Sequence, residues 1–452
     1  MKDEEDLEFR RCVNHILSNS TKQDNFLKCI DLLGIKTNQF NIIHVSGTNG
    51  KSSVAFKVSK CLVSLGLKVG LFTSPHIFEY TERIRVQCVQ ISKSDFVRIT
   101  DYIFSVIGDI PIHFFSSVLL ISLVYFVEKN VEWVVLESGI GGLLDPTNFA
   151  PNTKAVVISS IGYDHMAILG KTLDEIAHQK AGTIKPGSVV VLGPNCYKDE
   201  IFESKAKEVG AKVIKNNKKD FESFDEENTE TARLVVEEAL GLGKANISAL
   251  NSRLKMRLKI LSREECEVVK NHVFSKYPSL VPKLTEYGIP KAVVLDIAHN
   301  NTAINRLCSD LFKVFTGNAV FCVSISQNRT LNIFNPLGSF LKRDNPSKPS
   351  IEVLYLDVNH SYCRMLEDVN HDLDNPDLSP DVKKIFKSGL DKTRQICSTE
   401  SSGFNHSNAV LDDFDKVLYS AFIESCKNGD ILVLTGTAYM MEQSFKSLGS
   451  SF

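Results

Sequence analysis

No two of the eleven cysteines in this chain form a C-x-x-C pair. Single thiols in a reducing compartment are therefore expected in place of disulfides or a zinc site. An excess of one charge is missing too, because 52 Lys and Arg stand against 54 Asp and Glu. The balance removes the electrostatic reason to expect nucleic acid or an anionic membrane surface as a partner. Long apolar runs are absent: the longest, Val118 to Val127, is far shorter than the roughly 18 residues of a membrane span and reads as a buried helix. The start, Met1-Lys2-Asp3-Glu4-Glu5-Asp6, is acidic and lacks an apolar core, so no secretory leader is expected. What remains is a 452-residue chain, 43% hydrophobic, large enough for two or three globular domains and expected in the cytoplasm, with a mitochondrial pool left open.

The most informative stretch runs from His44 to Ser53. An apolar strand, Asn41 to Val45, is closed by Gly47-Thr48-Asn49-Gly50 and then by Lys51, Ser52 and Ser53. Small residues let successive backbone N–H groups converge on an anion, the following helix offers its N-terminus, and Lys51 adds a point charge for terminal phosphates. The helix stands on its own pattern, with Val54, Val58, Cys61, Leu62 and Leu65 on one face and Gly66 as its stop. Only two residues separate Gly47 from Gly50, so the loop is shorter than the common form with four between its glycines.

Strand-like segments at Asn41–Val45, Val69–Phe72, Trp133–Leu136, Val156–Ser160 and Val189–Leu192 alternate with helical patterns, which argues a parallel, doubly wound sheet. The polar blocks follow these strands, where an open α/β sheet binds its ligand. Thr172 with Glu175 is a capping box, and the helix it starts places Ile176 and Lys180 on one face. A second series, Ala292–Leu295, Ala319–Ile325, Ile351–Leu356 and Ile431–Leu434, reads as a smaller α/β domain. The segment between Leu261 and Pro290 is charged and weakly periodic, and suits a boundary. From Arg364 to Asn408 the chain is rich in Asp, Asn, Ser and Lys, most simply a solvated insertion.

The short loop GTNGK resembles that of the dihydrofolate synthase and folylpolyglutamate synthase family, within the Mur-ligase superfamily, and further blocks agree in order. Phe72-Thr73-Ser74-Pro75-His76 with Glu82-Arg83-Ile84 is similar to the family's TSPH…ERI. Leu136 to Asn148 is similar to EVGLGGRLDATN, and Leu295-Asp296-Ile297-Ala298-His299-Asn300 to DGAHN. Ser160 to His165, Lys180 to Gly187 and Val433 to Tyr439 match as well. The resemblance implies an α/β fold with a P-loop, doubly wound N-terminal ATPase domain over residues 1–287 and a smaller Rossmann-like glutamate-ligase domain over 288–452.

It also implies an ATP- and Mg²⁺-dependent ligase adding L-glutamate to dihydropteroate, and also to folates, through an acyl phosphate, as a monomer without nucleic-acid or membrane partners. By the same resemblance, Gly47, Thr48, Asn49, Gly50, Lys51, Ser52 and Ser53 hold phosphates. Ser74 and Glu137 ligate a first Mg²⁺, while His165 and a carbamylated Lys180 serve a second. Asn228 lies on the adenine side, Asp296 contacts ribose and His299 the phosphates, and Arg257 reaches the γ-phosphate from the second domain. Read from the residues alone, Glu137 also suits a capping or salt-bridged carboxylate, His165 a turn cap, and Lys180 an ordinary lysine near a helix end. Carbamylation needs a lowered pKa that no sequence displays. The chain departs from the family pattern at Leu143 in place of Arg, at Ser116 where Glu is frequent, at Gln179 in place of Glu, and at Asn328-Arg329 in place of Lys-Asp. Two alternatives stay open: polyglutamylation alone, and a nucleotide-binding pseudoenzyme.

Overall fold

The computed structural model describes residues 2–254, 257–275, 288–341, 349–358, 363–398 and 412–449. The chain divides into two compact units, Met1–Leu254 and Lys255–Phe452.

In the first unit eight strands form one sheet: β1 (Asn41–Ser46), β2 (Val69–Phe72), β3 (Ile84–Val86), β4 (Val89–Gln90), β5 (Trp133–Glu137), β6 (Thr153–Ser160), β7 (Val189–Asn195) and β8 (Lys212–Lys215). Their order is β4-β3-β2-β5-β1-β6-β7-β8, with β1 in its interior. Four helices carry residues singled out in the sequence: α1 (Lys51–Ser64), α2 (Phe114–Glu128), α3 (Leu173–Ala181) and α4 (Phe224–Leu234). The central strands are apolar on both faces, as strands covered by helices must be. Along β1, Ile42 joins the cluster that includes Val118 and Leu119 of α2. Its neighbours Ile43 and Val45 join the opposite cluster, with Val54 and Val58 of α1. That alternation is the period of two expected of a pleated strand. The apolar run from Val118 lies in α2 and is buried as expected as far as Phe126, while Val127 is exposed.

The second unit holds a five-stranded sheet of β9 (Lys259–Ile260), β10 (Ala292–Asp296), β11 (Ala319–Val323), β12 (Ile351–Tyr355) and β13 (Ile431–Thr435), in the order β12-β11-β13-β10-β9. Against it pack α5 (Asn301–Val314) and α6 (Pro380–Ser398) through Ile304, Leu307, Val382, Phe386 and Leu390.

The α/β class with two sheets matches the sequence reading, but both sheets are mixed. β3 runs antiparallel to β2 and to β4, and β9 antiparallel to β10. These three strands have two or three residues each, too short to show a period. The units part at Leu254/Lys255, upstream of the expected 287/288, because β9 pairs with β10 and so belongs to the second sheet. The solvated insertion expected from Arg364 to Asn408 is corrected over its described part, residues 364–398. There α6 packs so closely on β12 that a Cβ at Gly389 would collide with the Val353 carbonyl. Its polar residues form the outer face of an amphipathic helix. Residues 399–408 lie outside the described residues. All eleven cysteines are free, and among the described residues no helix is long and apolar enough to cross a membrane.

Candidate active site

The turn after β1 is built by backbone geometry. Gly47 (φ 140°) and Gly50 (φ 88°) occupy the left-handed half of conformational space, which glycine enters without the Cβ penalty. Space excludes a side chain as well: a Cβ at Gly47 would strike Ser159 Oγ, and one at Gly50 would strike Asn228 Oδ1. The loop is pinned from the end of β6. Thr48 N donates to the Ser160 carbonyl at 2.8 Å and Asn49 N to Ser160 Oγ at 3.0 Å. Ser159 Oγ donates to the Asn49 carbonyl at 2.7 Å, and Gly162 N to Thr48 Oγ1 at 3.0 Å. Gly50, the N-cap of α1, contributes no side-chain cap. The first turn of α1, with Lys51, Ser52 and Ser53, is thus presented by a rigid loop whose cap residue does not occupy its amides.

Charge converges on this loop. Lys51 Nζ donates to the Thr48 carbonyl at 3.0 Å, and Lys180 Nζ, from α3, to the Gly47 carbonyl at 2.7 Å. Lys180 is 3% exposed, and burial first, then the nearby Lys51, brings its pKa down to about 7. Its helix starts at the expected capping box, with Glu175 N donating to Thr172 Oγ1 at 3.2 Å and Thr172 N to the Glu175 carboxylate at 3.0 Å. At the end of β5, buried Glu137 accepts from Ser52 Oγ at 2.8 Å and from Ser74 N at 3.0 Å.

Glu137, Ser52 and Ser74 therefore form a compact set of oxygen-bearing residues beside the loop. Among the described residues no group of three or more His, Cys, Asp and Glu could hold a metal ion. A carboxylate with a serine hydroxyl is an oxygen donor set that suits the hard, water-retaining Mg²⁺ and not a zinc site. His165 stands in the left-handed region (φ 48°) as N-cap of the short helix Met166–Leu169. Its Nε2 lies 3.8 Å from Asp164 Oδ1.

Sequence reading gave the supporting residues no role of their own. Ser159 and Ser160 end β6 and Gly162 follows it, a small-residue run that signals close backbone approach. His44 Nε2 lies 2.8 Å from Thr147 Oγ1 and 3.0 Å from Ser138 Oγ, and burial lowers its pKa to about 3, so the ring is neutral. Asp145 accepts from Ile140 N at 2.7 Å and Thr147 N at 3.0 Å, closing the glycine-rich turn after Glu137. Two of the departures are placed by the structure. Ser116 Oγ donates to Asp24 Oδ2 at 2.5 Å, so a carboxylate still stands beside that position. Leu143 is half exposed, and its amide donates to the Gln179 carbonyl at 2.8 Å.

The second unit gathers its own candidates. Arg257 and Asp296, 39 residues apart in sequence, become neighbours because β9 pairs with β10 and Leu258 N donates to Asp296 Oδ2 at 2.7 Å. Burial raises the Asp296 pKa, with Arg257 acting in the opposite sense. His299 Nδ1 lies 2.7 Å from the Ile297 carbonyl, and Asn300 caps α5 through Ala303 N at 2.9 Å.

No family model matches the chain. It is 29% identical over 306 residues to the dihydrofolate synthase/folylpolyglutamate synthase of Buchnera aphidicola subsp. Schizaphis graminum, across 66% of this chain and 70% of that protein. A putative folylpolyglutamate synthase of Caenorhabditis elegans is 35% identical over 179 residues, or 39% of this chain. That match spans only 35% of the nematode protein's length. A solved bifunctional folylpolyglutamate synthase/dihydrofolate synthase with Mn, AMPPNP and L-glutamate bound aligns with a TM-score of 0.72 at 19% identity, over 98% of both chains. At that identity the likeness shows the fold.

Proposed function

The chain belongs to the dihydrofolate synthase/folylpolyglutamate synthase family, and from that premise we propose that it uses ATP to join L-glutamate to dihydropteroate and to extend folates with further glutamate. A carboxylate is a poor acyl donor. Transfer of the γ-phosphoryl group of ATP to it makes an acyl phosphate, and the glutamate amine then displaces inorganic phosphate to leave the amide. Little covalent work falls to the protein, since such transfers depend on positioning and on neutralising charge.

The observation that carries this reading is the loop from Gly47 to Lys51, with its two left-handed glycines and two lysines directed at it. In this reading the loop and the first turn of α1 bind the phosphates, Lys51 supplies a mobile point charge, and Asn228 bounds the adenine side. Glu137, Ser52 and Ser74 would hold Mg²⁺, which when bound neutralises phosphate charge. His165 and Lys180 serve the second cation. A Lys180 pKa of about 7 leaves much of its amine neutral at physiological pH, the form that takes up CO₂ to become a carbamate with loss of one proton. Arg257, Asp296 and His299 keep the γ-phosphate, ribose and phosphate roles that the family resemblance gives them.

The deciding assay is ADP release with dihydropteroate and, separately, with tetrahydrofolate, each with L-glutamate. Turnover of both is expected. Turnover of tetrahydrofolate alone would leave polyglutamylation only. Nucleotide binding without turnover of either would favour the pseudoenzyme, the reading that Leu143, Ser116 and Gln179 motivate.

A further inference from the structure

Lys51 is not the only lysine of α1 with an assigned task. Lys57, further along the same helix, is 1% exposed, an unusual place for an ammonium unless each of its three donors finds an acceptor. Three acceptors are there. Asp225 Oδ1 lies at 3.1 Å, the Leu250 carbonyl at 2.6 Å and the Ser252 carbonyl at 3.2 Å. The other oxygen of Asp225 accepts from Arg253 Nε at 2.9 Å.

Asp225 sits in the first turn of α4, and Asn228, one turn on, packs against Gly50. From the other side, Glu227 of the same turn accepts from Asn195 Nδ2 at 2.6 Å, and Asn195 ends β7. The first turn of α4 is thus tied to the phosphate-loop helix through Lys57 and to the sheet through Asn195.

We propose that Lys57 is a positioning residue of the nucleotide site: its ion pair with Asp225 holds the first turn of α4 in place, so that Asn228 closes on Gly50 and fixes the loop. The inference rests on the nucleotide-binding reading above. With its three donors committed to acceptors of the protein itself, Lys57 acts through α4 and not on a reacting atom.

The test uses the full chain and three substitutions. Lys57→Met keeps the apolar stem and removes the ammonium, Asp225→Asn keeps the shape of its partner, and Asn228→Ala removes the side chain at Gly50. Two quantities are read: kcat and KM for ATP in the ligase assay, and amide hydrogen exchange over Gly47–Ser53 without nucleotide. Lys57→Met and Asp225→Asn are each expected to raise KM for ATP roughly five- to tenfold while kcat changes less than about twofold, and to speed exchange in the loop. Lys57→Met combined with Asn228→Ala is expected to be no worse than Asn228→Ala alone, because both act through one contact. Additive effects of the pair overturn the proposal. So does a folded variant with a lower Tm but the parent's KM for ATP and loop exchange, which would make Lys57 a stabilising residue only. If Lys57→Met fails to fold, Asp225→Asn, whose carboxylate is partly exposed, decides. A parent protein without ATP turnover would reject the ligase reading, and loop exchange would then judge the brace by itself.

Discussion

The turn from β1 into α1 and the turn from β10 into α5 follow one plan: an interior strand of a sheet ends, a short loop follows, and a helix begins. They differ at the cap. Asn300 spends its side chain on Ala303 N, so the first turn of α5 is closed by its own chain. Gly50 has no side chain to spend, adopts a left-handed φ and is hemmed in by Asn228. An intrinsic cap stabilises a helix, whereas its omission in a rigid, twice-pinned loop leaves the helix N-terminus for an anion. The same supersecondary unit closes its helix N-terminus with a side chain in one place and leaves it uncapped in the other.

The most severe way to break the contrast is Lys51→Ala, which leaves the glycine loop and removes its mobile charge. A fall in kcat of about 10²–10³-fold is expected, the size of loss when one preorganised donor to transition-state charge is deleted. Parent-like kcat in a folded mutant would show that this loop is not the catalytic cradle. Glu137→Gln comes next, since it keeps the shape that Ser52 and Ser74 pack against but removes the charge. It is expected to raise the Mg²⁺ concentration needed for half-maximal turnover by roughly 10–100-fold, with nucleotide affinity changing less. Identical Mg²⁺ titrations would place the metal elsewhere.

Asn300→Ala probes the other turn. It is expected to cost about 1 kcal/mol of stability, read as a lower denaturation midpoint, without altering the Mg²⁺ requirement. A mutant of parent stability would mean that this cap does not hold α5.

The remaining test is a pH dependence. The Lys180 pKa is lowered in the folded chain, to about 7 from 10.5, so between those values the unfolded chain binds this proton and the folded chain does not. The contribution of Lys180 to stability therefore rises with pH through that window and is flat below it. Relative to Lys180→Met, the parent is expected to gain stability between about pH 7 and 10, and parallel stability curves would contradict the burial argument.

Much of this site is legible in the residues alone. Gly47 to Ser53 is read directly, because a left-handed turn needs glycine, and the capping box at Thr172 marks the start of the helix that carries Lys180; the roles of Glu137 and Lys180 come from the family resemblance. Strand interiors are legible for a related reason, since a strand buried on both faces must be apolar throughout. The short antiparallel strands are not, and α6 reads as a solvated insertion until the sheet is seen. Its buried residues Val382, Phe386 and Leu390 are spaced by helical turns among many charges, and only the sheet beneath them shows which face is inward.

By itself, the sequence determined the local chemistry of this protein: which turns demand glycine, where helices begin, and which strands lie in the core. Those are matters of backbone sterics and apolar periodicity acting over a few residues. The tertiary structure alone decided what long-range proximity controls. It joined Arg257 to Asp296 through β9, set the Ser159–Ser160 end of β6 under the loop, and enclosed Lys57 among Asp225 of α4 and the carbonyls of Leu250 and Ser252. It also buried Lys180 deeply enough to lower its pKa, since desolvation and charge coupling depend on distance in space and not on separation along the chain.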